Sequence, residues 1–379
     1  MVVRQFTFDS SMTDRFIQFG HDLYRGDPRW IPPLRDRFAA QLSPGFFFYE
    51  QPGTAHQHFL VTDGSRVLAR ASAFVNPALA DSDGTPVGSI GFFECVNDYG
   101  SARTLLDSAT RWLFDQGITR IWAPLNFDIW HGYRFMTRGF ETAPFFPEPY
   151  NKPYYPDFVV RYGFTKRQTW NSFTLSQPSA IHELVQRSAP RYEQLTAKGY
   201  RFEPFDLDDF NSSLQTLHPL LLRSFSGFLG YTPIPLNEFT DLFGPFQLAL
   251  HPKLGLFVYD PEHQLVGFAL SFVDLAEAVR SMNGKSSLTT RLRFLRKARM
   301  SRRTMFYLAG ATPEESVKRS GIGRATMHRI LASTLNEGFT EVIFALIADG
   351  NIARGSFGGN AIAPDREYAL FELRPRGQP

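Results

Sequence analysis

The sequence predicts an α/β (α+β) chain of 379 residues that lays down one series of elements twice. Three observations carry this. First, two β-hairpin patterns occur, each followed by a third strand, a long helix and a further strand. Second, the later helix opens on a glycine turn directly after an apolar strand, the arrangement of a βα unit. Third, 43% hydrophobic and 20% charged residues are a globular composition, and the length suffices for two domains.

In the first half, Gln57 to Thr62 and Arg66 to Val75 read as a hairpin across Asp63, Gly64 and Ser65. Val87 to Cys95 reads as the third strand. Ala102 to Gln116 is helical by the spacing of Leu105, Leu106, Ala109, Trp112 and Leu113, and Gly117 stops it. Arg120 to Leu125 is the next strand. A short helix falls within Tyr150 to Tyr162, and Lys166 to Leu175 is a strand.

The second half repeats this after two helical segments, Ala180 to Lys198 and Ser213 to Phe225. Leu254 to Tyr259 and Gln264 to Val273 form the hairpin, across Asp260, Pro261, Glu262 and His263. Thr304 to Ala311 is the third strand and Ile322 to Asn336 the helix, with Gly338 as its stop. Glu341 to Ala348 and Arg366 to Leu373 complete the series. The expected boundary lies near Ser176, Gln177, Pro178 and Ser179, giving domains 1–176 and 177–379.

Between strand and helix of the second half sit Lys318, Arg319, Ser320, Gly321, Ile322 and Gly323. A glycine turn that opens a helix leaves backbone N–H groups free and points the helix dipole at them, which suits a phosphate or pyrophosphate. The dinucleotide fingerprint is excluded, because Thr326 stands where its third glycine would be. The Walker motif is excluded for lack of a terminal Gly-Lys-Ser/Thr. The turn resembles the signature of the GNAT acyltransferase superfamily, Arg/Gln-x-x-Gly-x-Gly/Ala, with Lys318 at the first position, then Gly321, Gly323 and Ala325. Lysine keeps the charge there but loses the planar fork. The order of elements in both halves resembles the GNAT fold as well, so nearly the whole chain is similar to a tandem GNAT protein.

That resemblance implies two domains, each a mixed, mostly antiparallel sheet flanked by helices. It implies an acyl-CoA co-substrate whose pyrophosphate lies on Lys318, Arg319, Ser320, Gly321, Ile322, Gly323, Arg324 and Ala325, with Ala311 and Asn351 alongside. It implies N-acyl transfer to an amine, with the thioester carbonyl held by backbone N–H groups of Leu308 to Thr312. The tyrosine that often protonates the thiolate in such enzymes is absent, and Phe357 is the nearest aromatic. The first half has Cys95 to Ser101 at the corresponding turn. Its one glycine and Asp98 make a poor cradle, so coenzyme A is expected on the second half only.

The acceptor chemistry is expected on the first half. Its polar segment Asn126, Phe127, Asp128, Ile129, Trp130, His131, Gly132, Tyr133 and Arg134 follows a strand directly, where α/β folds place function. Glu94 ends the strand before it inside an apolar run, and burial would raise its pKa toward that of a neutral-pH base. His131 is the alternative base. Asn126, His131, Tyr133 and Asn151 exceed what a structural loop needs, although Glu94 in a salt bridge and His131 as a plain polar group are the ordinary roles. The candidate catalytic set is Glu94, His131, Tyr133 and Asn126, and no metal is expected.

The remaining features narrow the class. A single cysteine, Cys95, allows no internal disulfide and fits a reducing cytoplasm. The N-terminus lacks an apolar signal core, and no apolar run approaches the roughly twenty residues that span a bilayer. A net charge of +3 does not by itself point to nucleic acid. The 38 phenylalanines, against 14 tyrosines and 5 tryptophans, suit core packing or an apolar mouth for a lipid-like group. Residues 285–303 carry eight basic side chains and no acid, with Leu288, Leu292 and Leu295 on one helical face. This segment reads as a membrane-surface helix, an anion-binding arm or a solvated loop. The resemblance extends to a bacterial group that acylates lipid amines, including the bacterial type of ceramide synthase. Two other readings stand beside it: a non-catalytic acyl-CoA-binding protein at the membrane, and a FemABX-like aminoacyl transferase. A cytoplasmic protein, peripheral on the inner face of the membrane, is the expected location.

Overall fold

The structure is a computed structural model that describes residues 1–317, 320–351, 354 and 362–374, without the side chains of residues 316 and 317. The first half runs β1 (Val2–Phe6), α1 (Ser10–Leu23), α2 (Arg35–Ala40), α3 (Phe47–Glu50), β2 (Ala55–Asp63), β3 (Arg66–Ala80), β4 (Pro86–Cys95), α4 (Tyr99–Asp115), β5 (Arg120–Ala123), β6 (Phe135–Arg138), α5 (Tyr155–Tyr162) and β7 (Thr165–Leu175). The second runs α6 (Pro178–Ala197), β8 (Arg201–Pro204), α7 (Phe210–Phe225), α8 (Leu236–Phe243), β9 (Leu250–Tyr259), β10 (Leu265–Val273), α9 (Ala276–Met282), α10 (Leu288–Ala298), β11 (Arg303–Ala311), α11 (Pro313–Val317), α12 (Ile322–Asn336), β12 (Glu341–Ala348) and β13 (Arg366–Leu373).

All of these strands join one 13-stranded sheet. Its order is β1-β2-β3-β4-β5-β13-β7-β12-β11-β10-β9-β8, with β6 paired to β13. Every pairing is antiparallel except β4 with β5 and β11 with β12, which are parallel. The two halves exchange strands at the centre. β13, last in the chain, inserts between β5 and β7, while β7 pairs with β12. The hydrophobic gain from a continuous sheet is therefore shared by both halves. Tyr368 and Leu370 of β13 pack with Trp122 and Trp170 of the first half in one buried cluster.

The helices are amphipathic layers on this sheet. α4 buries Leu105, Leu106, Ala109 and Leu113 against β2, β3 and β5. α12 and α6 cover the corresponding face of the second half through Ala325, Ile330, Met327 and Leu331. The opposite face is covered by α7 and α8, where Leu217, Leu221 and Phe239 are fully buried. The basic segment forms α10, capped by the Ser287 side chain, and it presents Leu288, Leu292 and Leu295 outward at 75%, 60% and 46% exposure. Among the described residues no helix is long and apolar enough to cross a membrane.

Candidate active site

The two parallel pairs place matching forks in the two halves. β4 and β5 stay in register only over Val87–Ser89 with Arg120–Trp122. β11 and β12 stay paired only over Arg303–Phe306 with Glu341–Phe344, and then separate. Each fork carries a bulge against the preceding hairpin strand, one between Arg70 and Ser72 facing β4, the other between Leu270 and Ser271 facing β11.

The first fork is filled by its own chain. The Leu125 N–H donates to Ile90 O at 3.0 Å, and the Phe92 N–H donates to Asn126 Oδ1 at 2.7 Å. Gly91 is required by this closure, since a Cβ there would stand 2.5 Å from Asn126 Oδ1 and 2.6 Å from Leu125 O. The α4 N-terminus is also taken. Asp98 accepts from the N–H groups of Ser101 at 2.8 Å and Gly100 at 3.3 Å, so a carboxylate of the chain occupies the anion position.

The second fork is open. Past Met305 and Ala345 both strands lose burial, and a cleft of about 1070 Å³ lies between them. Thr312 donates its N–H to Val266 O at 2.9 Å, toward β10. Strand alternation therefore turns the Ala311 peptide the other way, toward the cleft. At the cleft's end, α12 begins at Gly321, which sits at φ 78° and provides no side-chain cap. Gly323 follows in ordinary helical space, where a Cβ would meet nothing within 4 Å. Arg191 of α6 lies over the turn, its Nε where a Cβ on Gly321 would stand.

Thus Ala311, Ser320, Gly321, Ile322, Gly323, Arg324 and Asn351 all line one cleft. Ala325 is fully buried beneath it. Lys318, Arg319 and Phe357 lie outside the described residues. Arg191 was not legible in the sequence as part of this turn, because it is contributed by a helix more than a hundred residues earlier.

The opposite wall is the polar loop of the first half, with Trp130, His131, Tyr133 and Arg134. His131 is buried between Asp128 and Glu238. Its Nδ1 is 2.8 Å from Asp128 Oδ1, and its Nε2 is 3.8 Å from Glu238 Oε1. Asp128 Oδ1 also accepts the Trp130 N–H at 2.9 Å. The Phe46 and Phe127 rings meet the imidazole edge-on. Burial pulls the His131 pKa down, but Asp128 and Glu238 outweigh it and leave the imidazole above its ordinary value. Burial lifts the Glu238 carboxyl to about 7, with Asp128 adding to the rise and His131 opposing it. The three side chains also have the types and spacing of a metal-ligand cluster. One candidate ligand atom from each of the three lies within 4.8 Å of the others.

Tyr133 and Arg134 form the lip of this wall. The Arg134 guanidinium stacks 3.8 Å above the Tyr133 ring and 4.5 Å above Trp170, and Arg134 donates to the Tyr133 hydroxyl. Asn126 and Glu94 stand apart from the cleft. Asn126 plugs the first fork. Glu94 lies in a buried polar group of the first half, where Tyr155 donates to it at 2.6 Å, Tyr24 at 3.0 Å, and Arg70 is 3.7 Å away. Burial raises its carboxyl, with Arg70 the chief opposing influence. Asn151 likewise holds backbone, accepting the Met136 N–H at 2.7 Å.

Superposition on solved structures identifies this architecture. A tandem GNAT protein of the clavulanic acid biosynthesis pathway matches over 98% of both chains, with a TM-score of 0.52 and 12% identity. The chain has a tandem GNAT fold. A glucosamine N-acetyltransferase region of a fungal multi-domain β-N-acetylglucosaminidase matches 98% of the chain and 38% of its own length, with a TM-score of 0.55 and 12% identity. A probable N-acyltransferase from Enterococcus faecalis matches 99% of the chain and 73% of its own, with a TM-score of 0.52 and 8% identity. In sequence, Protein YghO of Escherichia coli is 24% identical over 277 residues, covering 71% of this chain and 67% of its own. No profile of a known protein family matches the chain.

Proposed function

We propose that this tandem GNAT chain is an acyl-CoA-dependent N-acyltransferase with one cofactor site, in the second half, and an acceptor pocket between the halves. One observation carries the reading: of two equivalent forks, the first is plugged by Asn126 and capped by Asp98, while the second opens onto an uncapped helix start. The pyrophosphate would lie on the N–H groups of Ser320 to Arg324, with Arg191 and Arg324 supplying positive charge. Pantetheine would run along the open edge of β11 past the Ala311 peptide, and backbone N–H groups at the Leu308 end of that edge would hold the thioester carbonyl as it gains negative charge.

His131 is the proposed base. Asp128 fixes its tautomer, leaving Nε2 to take a proton. The amine nitrogen bonds to the acyl carbon, the C–S bond breaks, and the thiolate takes a proton from a phenol of the cleft. Tyr133, whose oxygen accepts from Arg134, keeps its own hydrogen for that donation. Coenzyme A supplies the activated acyl group, and the chain's residues orient it and move protons. Glu94 supports the fold in this reading rather than touching substrate.

The finer reading is a long-chain acyl group or a lipid amine, with the chain peripheral on an anionic membrane. It is supported by the outward leucines and the cations of α10, and by Phe225, Phe228 and Phe268 around the cleft. The test is incubation with acetyl-, octanoyl- and palmitoyl-CoA, each with a panel of amines, following free thiol and product mass. Amide formation matched by thiol release is expected. Tight binding of acyl-CoA with no turnover on any amine would make the protein a carrier instead.

A further inference from the structure

We propose that Arg134 anchors a carboxylate on the substrate that enters the cleft, so that the enzyme selects an anionic acceptor amine or an acyl chain ending in an acid. The inference rests on the acyl-transfer reading for its setting, but its evidence is separate. Arg134 lines the cleft, its Nε is buried without an acceptor, and no carboxylate among the described residues forms an ion pair with it. Arg134 as a whole is half-buried; the fully buried arginines of the sheet are ion-paired, although Arg70 and Arg366 also leave a buried Nε without an acceptor. Arg70 meets Glu94 at 3.7 Å, Arg120 meets Asp81 at 2.6 Å, and Arg366 meets Glu148 at 3.3 Å. Removing a guanidinium from water without a counter-charge is costly, and proteins retain such a group where a ligand supplies the charge.

The group is held ready for that ligand. The faces of Tyr133 and Trp170 stack on it, which offsets part of the lost hydration and fixes the plane of the fork. A planar fork with free N–H groups matches a carboxylate in two parallel hydrogen bonds. Burial lowers the guanidinium to about 9, with Tyr307 opposing, so it is still charged at neutral pH. Arg134 also sits at φ 77°, a conformation that a non-glycine residue seldom holds.

Position separates this cation from the pyrophosphate turn. Arg134 lies near Tyr307, at the point where β11 leaves β12. Ala311, beside the turn, is four residues further along the strand, or about 13 Å at the usual strand rise. The anion is therefore not the pyrophosphate but belongs to the reacting end of the substrates.

Two matched pairs distinguish its source: γ-aminobutyrate against n-butylamine, and glutaryl-CoA against pentanoyl-CoA. Tryptophan fluorescence reports binding through Trp170. With coenzyme A present, the wild type should bind γ-aminobutyrate at least about tenfold tighter than butylamine, the scale of a charged hydrogen bond. A preference in the glutaryl pair instead places the carboxylate on the acyl chain. Arg134→Gln should erase the preference, and Arg134→Lys should restore part of it. Circular dichroism checks that each variant is folded, and the lysine variant alone decides if the glutamine variant is not. Equal affinities within both pairs, or a preference that survives removal of the guanidinium, overturns the inference. If coenzyme A itself does not bind, the acyl-transfer reading fails, while the amine pair measured alone still tests Arg134.

Discussion

Replacing Gly323 by aspartate should separate cofactor binding from folding, because the two respond in opposite directions. Gly323 is the second residue of α12, and a Cβ there meets nothing within 4 Å. Glycine is a poor helix former, and a carboxylate in the first turn interacts well with the dipole, so folding should gain about 0.5–1 kcal/mol. The same carboxylate points at the place proposed for the pyrophosphate. Two like charges about 4 Å apart at an effective dielectric near 20 repel by about 4 kcal/mol, roughly three decades in affinity. Titration calorimetry with coenzyme A and a thermal melt measure the two effects on one sample. The expected result is affinity lost with a melting temperature that holds or rises. Unchanged affinity would refute the placement of the pyrophosphate. Gly321→Asp cannot make this separation, since position 321 sits at φ 78° and any side chain there collides with Arg191.

Further outcomes follow from the same geometry. His131→Ala should lower turnover by about 10²–10⁴-fold, the usual cost of a lost general base, with coenzyme A affinity intact. In the wild type kcat/KM should rise with pH through the elevated pKa of His131, and Asp128→Asn should move that rise to lower pH. Glu238 is folded with its pKa lifted above the unfolded value. Its contribution to stability should be present at acid pH and decline as pH rises through about 7, and Glu238→Gln should flatten denaturation midpoints across that range. Glu94→Gln should destabilise by about 3–5 kcal/mol by leaving Arg70 buried without a charge, while the folded fraction turns over normally. Charge reversal at Arg293, Arg296, Lys297 and Arg299 should abolish sedimentation with anionic vesicles at low salt, each cation being worth about 1 kcal/mol there; a wild type that ignores such vesicles gives α10 another purpose.

What the sequence disclosed, it disclosed through local pattern. The bounds of α12, β12 and β13 are those read from periodicity and from the Gly338 stop, because each is a long apolar run with a clear end. The strands β1, β6 and β8 are too short to stand out, whereas α1 and α8 are amphipathic and carried a signal that went unread. The exchange of β7 and β13 between the halves has no local signal at all, since it depends on pairing between strands almost two hundred residues apart. The site divides along the same line. The uncapped turn at Gly321 and the acid at Asp98 were legible, because capping is a property of a few consecutive residues. Arg191 over the turn and Glu238 beside His131 were not, because each arrives from a distant helix. Arg134 stood within the polar segment in plain view. Its significance is that no carboxylate among the described residues pairs with it, and only packing reveals that.

In the proposed reading one fork of the sheet takes coenzyme A and the other is closed. Titration calorimetry of the wild-type chain with coenzyme A tests it directly through stoichiometry. One molecule bound per chain, lost in Gly323→Asp and retained when Asp98 is replaced by asparagine, is the predicted result. Two molecules per chain, or one that survives Gly323→Asp, would contradict it.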